Sequence, residues 1–420
     1  MGLRCTLFAT VWLAATTVRA DVYVSGFNSG GVYRFDETSG APVGGGVFIA
    51  PGSGGLAQPH GILRLVDGTF VVASAGTDEV LRYDADGGFL SRFIANGQNG
   101  VPPGTLDYPV DLVLSPGGVL LVTSQLNDRV LRFAAADGAF LGDACPPGTI
   151  DGPSGVAVDA SNGTVFCAGR FGNHVRRLGA AGVPSAAFSP AVFGQPFGVA
   201  LDADGGRLFV ADGNANAVRA VHAETGATLA TLTGGLSLPV GVRIDLDGNV
   251  YVASYNGDRV ARFDATTGAA GSDVVTAAAA AAAGLDGPNF FAFIADPTPL
   301  EAWRLTYFGT LEEAGGSANG ADPDHDGLAN VLEFAVDGRP DAPTASPFET
   351  ALDNGGLLLR VHRAPVAGVV WAAEASADLV EWSPEDMSVV TDTPALYEVR
   401  DALSAGAGGR RFLRFTVRPE

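Results

Sequence analysis

No lysine occurs in this 420-residue chain; all 25 of its cationic residues are arginine. A Schiff-base lysine and a phosphate-loop lysine are therefore excluded. Acids outnumber bases 46 to 25, for a formal charge of −21. Such a surface repels phosphate backbones, which excludes nucleic acid as a partner, and it favours divalent cations. Histidine is scarce, at positions 60, 174, 222, 325 and 362, which limits any site built from several imidazoles. Beyond the first 20 residues there is no apolar run long enough to span a membrane; Ala277 to Ala283 is only a short alanine stretch. The chain has only three cysteines.

Residues 1–20 read as a signal peptide. Arg4 supplies the basic start, Leu7 to Ala15 the short apolar core, and Val18-Arg19-Ala20 the small residues of a cleavage site. The expected location is secreted, either extracellular or periplasmic. Cleavage leaves Cys145 and Cys167. An oxidising compartment permits a disulfide between them, but their placement, before a repeat start and in a strand of the next repeat, favours two separate buried thiols.

Glycine is abundant, at 58 residues, which points to many tight turns between short strands. An internal repeat organises them. Prolines recur at 59, 109, 153, 196, 239 and 288, with steps of 50, 44, 43, 43 and 49 residues. Each opens a strand such as Gly198-Val199-Ala200-Leu201. A turn pair follows, as in Asp67-Gly68 or Asp247-Gly248, then a β-branched or aromatic strand such as Asn249-Val250-Tyr251-Val252-Ala253. A third strand ends in arginine and an aromatic, as in Arg82-Tyr83 or Arg262-Phe263, and a short fourth strand is expected to close the unit. This period is that of a four-stranded propeller blade.

Second strands start near Val22, Phe70, Leu120, Val165, Leu208 and Val250, giving six blades. Asp21 to Asp36 supplies second and third strands without a first, and Pro288 to Phe293 supplies a first without a second. Joined, the two halves complete one blade and remove the open sheet edges. The pattern resembles the NHL repeat family over Asp21 to Ala295, departing at Leu178 and Val221, where the third-strand aromatic is lost. The expected fold is all-β. It comprises a six-bladed β-propeller with split-blade closure (21–295), a linker and EF-hand-like loop with flanking helices (296–345), and a small β-sandwich (346–420).

Residues following the repeat prolines are the natural channel-mouth groups: His60, Ser154 and Asn289, with Asp111 nearby. They are the candidate ligand-binding residues, as a polar cluster holding a cation or as satisfied turn residues. Asn28, Asp78, Asn127, Asn173, Asn214 and Asn256 precede the third strands and read as turn formers. The resemblance to NHL-like lyases and lactonase propellers implies metal chemistry in the channel, but few histidines are present to support it.

Beyond the stiff linker Asp296-Pro297-Thr298-Pro299, a helix is expected over Leu300 to Phe308. Acids then fall at Asp322, Asp324 and Asp326, with Gly327, Leu328, Asn330 and Glu333 at positions six, seven, nine and twelve of one loop. This is the spacing of an EF-hand calcium loop, with a helix expected over Leu328 to Val336. The loop resembles single loops of dockerins and thrombospondin type 3 repeats, without a second copy. Ser376 to Trp382 resembles a segment of C-terminal modules in secreted bacterial proteins. Trp371 and Trp382 offer either a sugar-stacking platform or core packing. The functional expectation is a non-enzymatic, monomeric scaffold that binds a protein or polysaccharide and carries calcium. The alternative is a metal-dependent propeller lyase or lactonase using His60 and Asp111.

Overall fold

The computed structural model describes residues 20–420 apart from 180–181, 187, 189, 191, 246, 354–355, 364–368, 377–379, 385–386, 402–411 and 420. The expected leader therefore lies outside the described residues except for Ala20, and so does the centre of the Ser376 to Trp382 segment. The chain divides into two compact units after Ala295.

Six repeat prolines open six strands of the first unit: β1 (Pro59–Arg64), β2 (Pro109–Ser115), β3 (Pro153–Val158), β4 (Pro196–Asp202), β5 (Pro239–Ile244) and β6 (Pro288–Ala295). Each is the first strand of an antiparallel sheet continued outward by the next strands in sequence. β6 is the exception. It pairs with Ala20–Gly26, at the other end of the unit, in the register Asp21 to Ile294 and Val24 to Phe291. The sheet then runs on through Gly31–Asp36 and Pro42–Ile49. The six first strands lie side by side in the cyclic order β1, β2, β3, β4, β5, β6 and back to β1.

Close approach between these strands explains the glycine two residues after the proline. A Cβ on Gly155 would sit 2.6 Å from the Gly198 Cα, and one on Gly198 would sit 2.5 Å from the Val240 carbonyl oxygen. Only a residue without a side chain lets neighbouring backbones come so near. The third-strand aromatics have a packing reason. Phe35, Tyr83, Phe133 and Phe263 occupy one register position and are essentially fully buried. Leu178 and Val221 take the same position in the two departing repeats and are equally buried. An apolar branched side chain fills this site where the aromatic is lost.

The expected fourth strand forms in four sheets, but the sheets of β3 and β5 have three strands among the described residues. In the β5 sheet, isolated bridges from Val260 to Val275 and Phe263 to Ala270 stand in for it. The alanine stretch that follows is a helix, α1 (Ala277–Ala283), capped by Thr276, whose hydroxyl accepts from the Ala279 N–H. Cys145 and Cys167 are buried free thiols in one apolar cluster.

The second unit begins with α2 (Pro299–Phe308), started by a reciprocal capping box between Thr298 and Glu301. The second expected helix is shorter than its sequence pattern. α3 spans Asn330–Val336, because Leu328 is still in the loop and Ala329 caps the helix. Strands Phe348–Asp353, Gly356–His362, Leu396–Asp401 and Met387–Thr393 form one sheet in that order; Val369–Ser376 pairs with Phe412–Pro419 in another. Both sheets and the buried faces of α2 and α3 share one core around Leu332, Phe334, Leu359, Trp371 and Phe415. Trp371 is thus a core residue, packed edge-on to Phe415. Trp382 is covered by the Arg414 guanidinium at 4.2 Å, which Glu374 holds in place. These two tryptophans pack within the unit and do not present a shared stacking face.

Candidate functional site

Four residues named from the repeat, His60, Asp111, Ser154 and Asn289, sit at or next to the starts of β1, β2, β3 and β6 and are all buried. They do not form one cluster. His60 and Asn289 meet directly, the His60 Nδ1 lying 2.8 Å from the Asn289 amide nitrogen. The His60 Nε2 and Asn289 Oδ1 are buried and have no protein partner, and neither has the Ser154 hydroxyl. Three aromatic rings surround His60: Phe27 at 5.4 Å, Tyr108 at 5.5 Å and Phe290 at 6.0 Å. Burial, aided by the nearby Arg170 charge, pushes the His60 pKa down to about 3, so the ring is neutral at physiological pH.

Asp111 does something else. It occupies the position that is glycine in the repeats of β1, β3, β4 and β5. Its carboxylate enters the space between β2 and its neighbour. There it accepts from the Leu112 N–H at 3.0 Å and the Val156 N–H at 3.1 Å, and from Arg243 at 3.3 Å. Its own N–H donates to Thr123 Oγ1, and that hydroxyl donates across to the Ser154 carbonyl at 2.7 Å. Burial raises the Asp111 pKa, opposed first by Arg243 and then by the backbone N–H groups. Both carboxylate oxygens are thus engaged in joining strands. The partners Arg243 and Thr123 were not foreseen: Arg243 is 132 residues away in sequence, and Thr123 belongs to an ordinary-looking strand.

Turn residues also have a wider role than turning. Positive φ is found at Asp78, Asp128, Asn173, Asn216 and Asp258. Asn127, Asn214 and Asn256 of the sequence reading are therefore displaced by one or two residues from the strained position. Four of these side chains reach the segment before the next repeat proline. Asp78 accepts from the Tyr108 N–H, Asp128 from Gly152, Asn216 from Leu238 and Asp258 from Gly287, at 2.8–3.0 Å. Each is a hydrogen-bonded link from one sheet to the following one. His174 and His222 lie in third strands; His174 directly follows the Asn173 turn, and its ring packs against Gly169 and Gly172.

The acidic loop of the second unit is better assembled. The Asp322, Asp324 and Asp326 carboxylates converge within 4.8 Å of one another. Gly327 takes φ +94, and its N–H donates to Asp322 Oδ2 at 3.0 Å. Asp326 is committed to the loop backbone, accepting from the N–H groups of Leu328 and Thr344. Asn330 donates both amide hydrogens, to the carbonyls of Gly316 and Ala318 at 2.8 Å. That orientation leaves its oxygen free.

Five oxygens of this loop are buried with no hydrogen-bond partner: Asp322 Oδ1, Asp324 Oδ2, Asn330 Oδ1 and both oxygens of Glu333. Glu333 is fully buried. Burial, reinforced by Asp324, Asp326 and Asp322 in that order, pushes its pKa up to about 7. The Thr344 hydroxyl opposes this only weakly, and a buried carboxylate beside three others is costly unless a cation compensates it. The all-oxygen donor set, at alternate loop positions and then on the following helix, suits a hard cation of flexible coordination.

No family model matches the chain, and no curated protein is similar to it. Solved structures are similar. A chain of the nidogen/laminin complex is 14% identical, covers 66% of this chain and 98% of its own, and superposes with a TM-score of 0.51. A protein of unknown function from Bacteroides caccae is 13% identical over 66% of this chain and 100% of its own, with a TM-score of 0.50. A streptogramin B lyase is 19% identical over 61% and 74%, with a TM-score of 0.42. At such identities the likeness speaks to fold alone: the first unit is a β-propeller.

Proposed function

We propose that this protein is a secreted, monomeric, non-enzymatic scaffold that presents propeller loops to a protein or polysaccharide partner. In this reading the propeller is of the NHL type, with six blades, and is closed by β6 pairing with Ala20–Gly26. The C-terminal unit is stiffened by calcium held by Asp322, Asp324, Asp326, the Leu328 carbonyl, Asn330 and Glu333, in a dockerin- or thrombospondin type 3-like loop. The cyclic order of the first strands supports the closed ring. Bound calcium would supply charge neutralisation and order for the loop, with no part in a reaction.

The observation that carries the non-enzymatic reading is the state of Asp111. The carboxylate expected to anchor a channel ion already accepts three hydrogen bonds and bridges two strands. A cation on Asp111 would have to share its oxygens with the Val156 N–H and sit against the Arg243 charge in a buried site. One observation favours the metal-dependent lyase or lactonase alternative: the unpartnered His60 Nε2 and Asn289 Oδ1. A neutral imidazole with one amide oxygen is a thin ligand set for catalysis.

Metal content separates the two. The full chain carrying Asp322→Ala and Asp326→Ala is dialysed against calcium, zinc, manganese and magnesium and then measured by plasma mass spectrometry. The scaffold reading expects no stoichiometric ion. A stoichiometric ion that disappears on adding His60→Ala would establish the enzyme reading instead.

A further inference from the structure

Six positions around one end of the propeller channel are equivalent by hydrogen bonding. The N–H groups of Phe27, Ala75, Gln125, Arg170, Gly213 and Tyr255 each donate to the carbonyl of the residue preceding a repeat proline, at 2.8–3.3 Å. Among these six, Arg170 is the only cation.

Arg170 differs from six other propeller arginines in its surroundings. Arg34, Arg82, Arg129, Arg207, Arg219 and Arg259 each pair with an aspartate. Arg170 has no carboxylate partner among the described residues. Its guanidinium lies over the Phe197 ring at 4.4 Å and makes one long contact, 3.4 Å, to the Gln125 side-chain oxygen. Its Nε is buried and unpartnered. In a chain of charge −21, a half-buried guanidinium without an acid is a ready receptor for a carboxylate, which matches its planar fork.

Neighbouring groups define what the carboxylate is attached to. Gln125 links Arg170 to Tyr108, whose carbonyl accepts the Gln125 N–H. The Tyr108 ring adjoins His60, which adjoins Phe27, and Phe27 packs at 6.0 Å against Tyr255. The rings of Phe27, Tyr108 and Tyr255 are half-buried, and Phe27 and Tyr108 both contact the His60 ring, whose Nε2 is buried and unpartnered, as is Asn289 Oδ1. The Arg170 charge is near enough to act on both His60 and Tyr108.

We propose that this end of the channel binds a small monocarboxylate borne on a flat ring. Its carboxylate sits on Arg170 and its ring among Phe27, Tyr108 and Tyr255. A polar substituent then bonds to His60 Nε2 or Asn289 Oδ1. A single negative charge is specified because one unpaired cation faces the pocket, and the acidic surface penalises polyanions. Aromatic side chains arranged edge to face favour a planar ring over a flexible chain. This site goes beyond the scaffold reading and does not depend on the macromolecular partner.

Isothermal titration of the full chain with 4-hydroxybenzoate, 4-hydroxybenzamide, acetate and a galacturonate oligomer tests it. The acid is expected to bind one per chain. The uncharged amide is expected to bind at least about tenfold more weakly, as loss of a charge-assisted bond implies; acetate, which lacks the ring, and the oligomer, whose many charges the acidic surface repels, are each expected to bind more weakly than the acid as well. Arg170→Gln should weaken the acid by at least about tenfold and leave the amide unchanged. Equal binding of acid and amide by the wild-type chain would overturn the proposal, even if the variant failed to fold. So would an absence of binding by the acid, an unaffected variant, or tighter binding of the oligomer. A channel metal would sink the scaffold reading without touching any of these outcomes, so the two failures are distinguishable.

Discussion

Glu333→Gln isolates the energetic logic of the acidic loop. The substitution keeps the side-chain shape and removes one charge from beside Asp322, Asp324 and Asp326. Neither Glu333 oxygen has a well-formed hydrogen bond to lose, and the Thr344 hydroxyl beside it offsets only part of the effect of burial and the three aspartates. Without calcium the variant should therefore be at least as stable as the wild type, contrary to the usual outcome of changing a fully buried residue. With calcium the order reverses. An extracellular loop of this class binds at roughly 0.1–1 mM, so 10 mM calcium stabilises the wild type by about 1.4–2.7 kcal/mol through mass action. For a unit of this size that is a rise in Tm of roughly 4–13 °C. Loss of the twelfth-position carboxylate should remove most of it. The assay is specific to this unit, because Trp303, Trp371 and Trp382 all lie beyond Ala295 and the remaining tryptophan is Trp12. Tryptophan fluorescence melts of the chain without residues 1–20, in EGTA and in calcium, read the second unit alone. An unchanged calcium response in Glu333→Gln, or a large drop in its calcium-free Tm, would refute the reasoning.

Other outcomes follow from the same geometry. The folded-state pKa of Glu333 is raised to about 7 from the ordinary 4.5, so the folded form holds its proton at higher pH than the unfolded form does. In EGTA, this group's contribution is full below pH 4.5 and is lost as pH rises to 7, so the tryptophan melt should be higher at pH 5 than at pH 8. Calcium should stabilise more at pH 8, where no proton must leave. Gly198→Val would push a side chain into the Val240 carbonyl at 2.5 Å; overpacking of this kind costs about 1–3 kcal/mol, read by urea unfolding followed by far-UV circular dichroism. Asp111→Ala leaves Arg243 and the Val156 N–H without their buried acceptor and should cost about 3–5 kcal/mol in the same assay, with no dependence on added metal.

The propeller was legible because its repeat is written twice, in residue identity and in spacing. The proline marks the start of each first strand, and its following glycine reflects the 2.5–3.0 Å approach of neighbouring backbones. A departure such as Asp111 was visible, but its role was not. Its partner Arg243 sits three sheets further along the chain, and nothing local connects them. The links from Asp78, Asp128, Asn216 and Asp258 to the next sheet were missed for a different reason. Each targets the segment before the next proline, and the intervening fourth strand varies in length or is absent among the described residues, so no constant spacing betrays the pairing. Arg170 was overlooked because it replaces phenylalanine, alanine, glutamine, glycine and tyrosine at the equivalent positions, a site without a consensus. The acidic loop, by contrast, is local in sequence. Its acids, glycine, asparagine and glutamate lie within twelve residues, so the convergence of Asp322, Asp324 and Asp326 could be read from spacing alone; the start of α3 at Asn330, after Leu328, could not.

The most direct test of the account is a crystal structure grown with calcium and then soaked in manganese, with both ions located by anomalous scattering. The account expects one ion per chain, held by Asp322, Asp324, Asp326, Asn330 and Glu333, with Asp111 still bonded to Val156 and Arg243. An ion coordinated by His60 and Asp111 in the channel, or an empty acidic loop at saturating calcium, would contradict it.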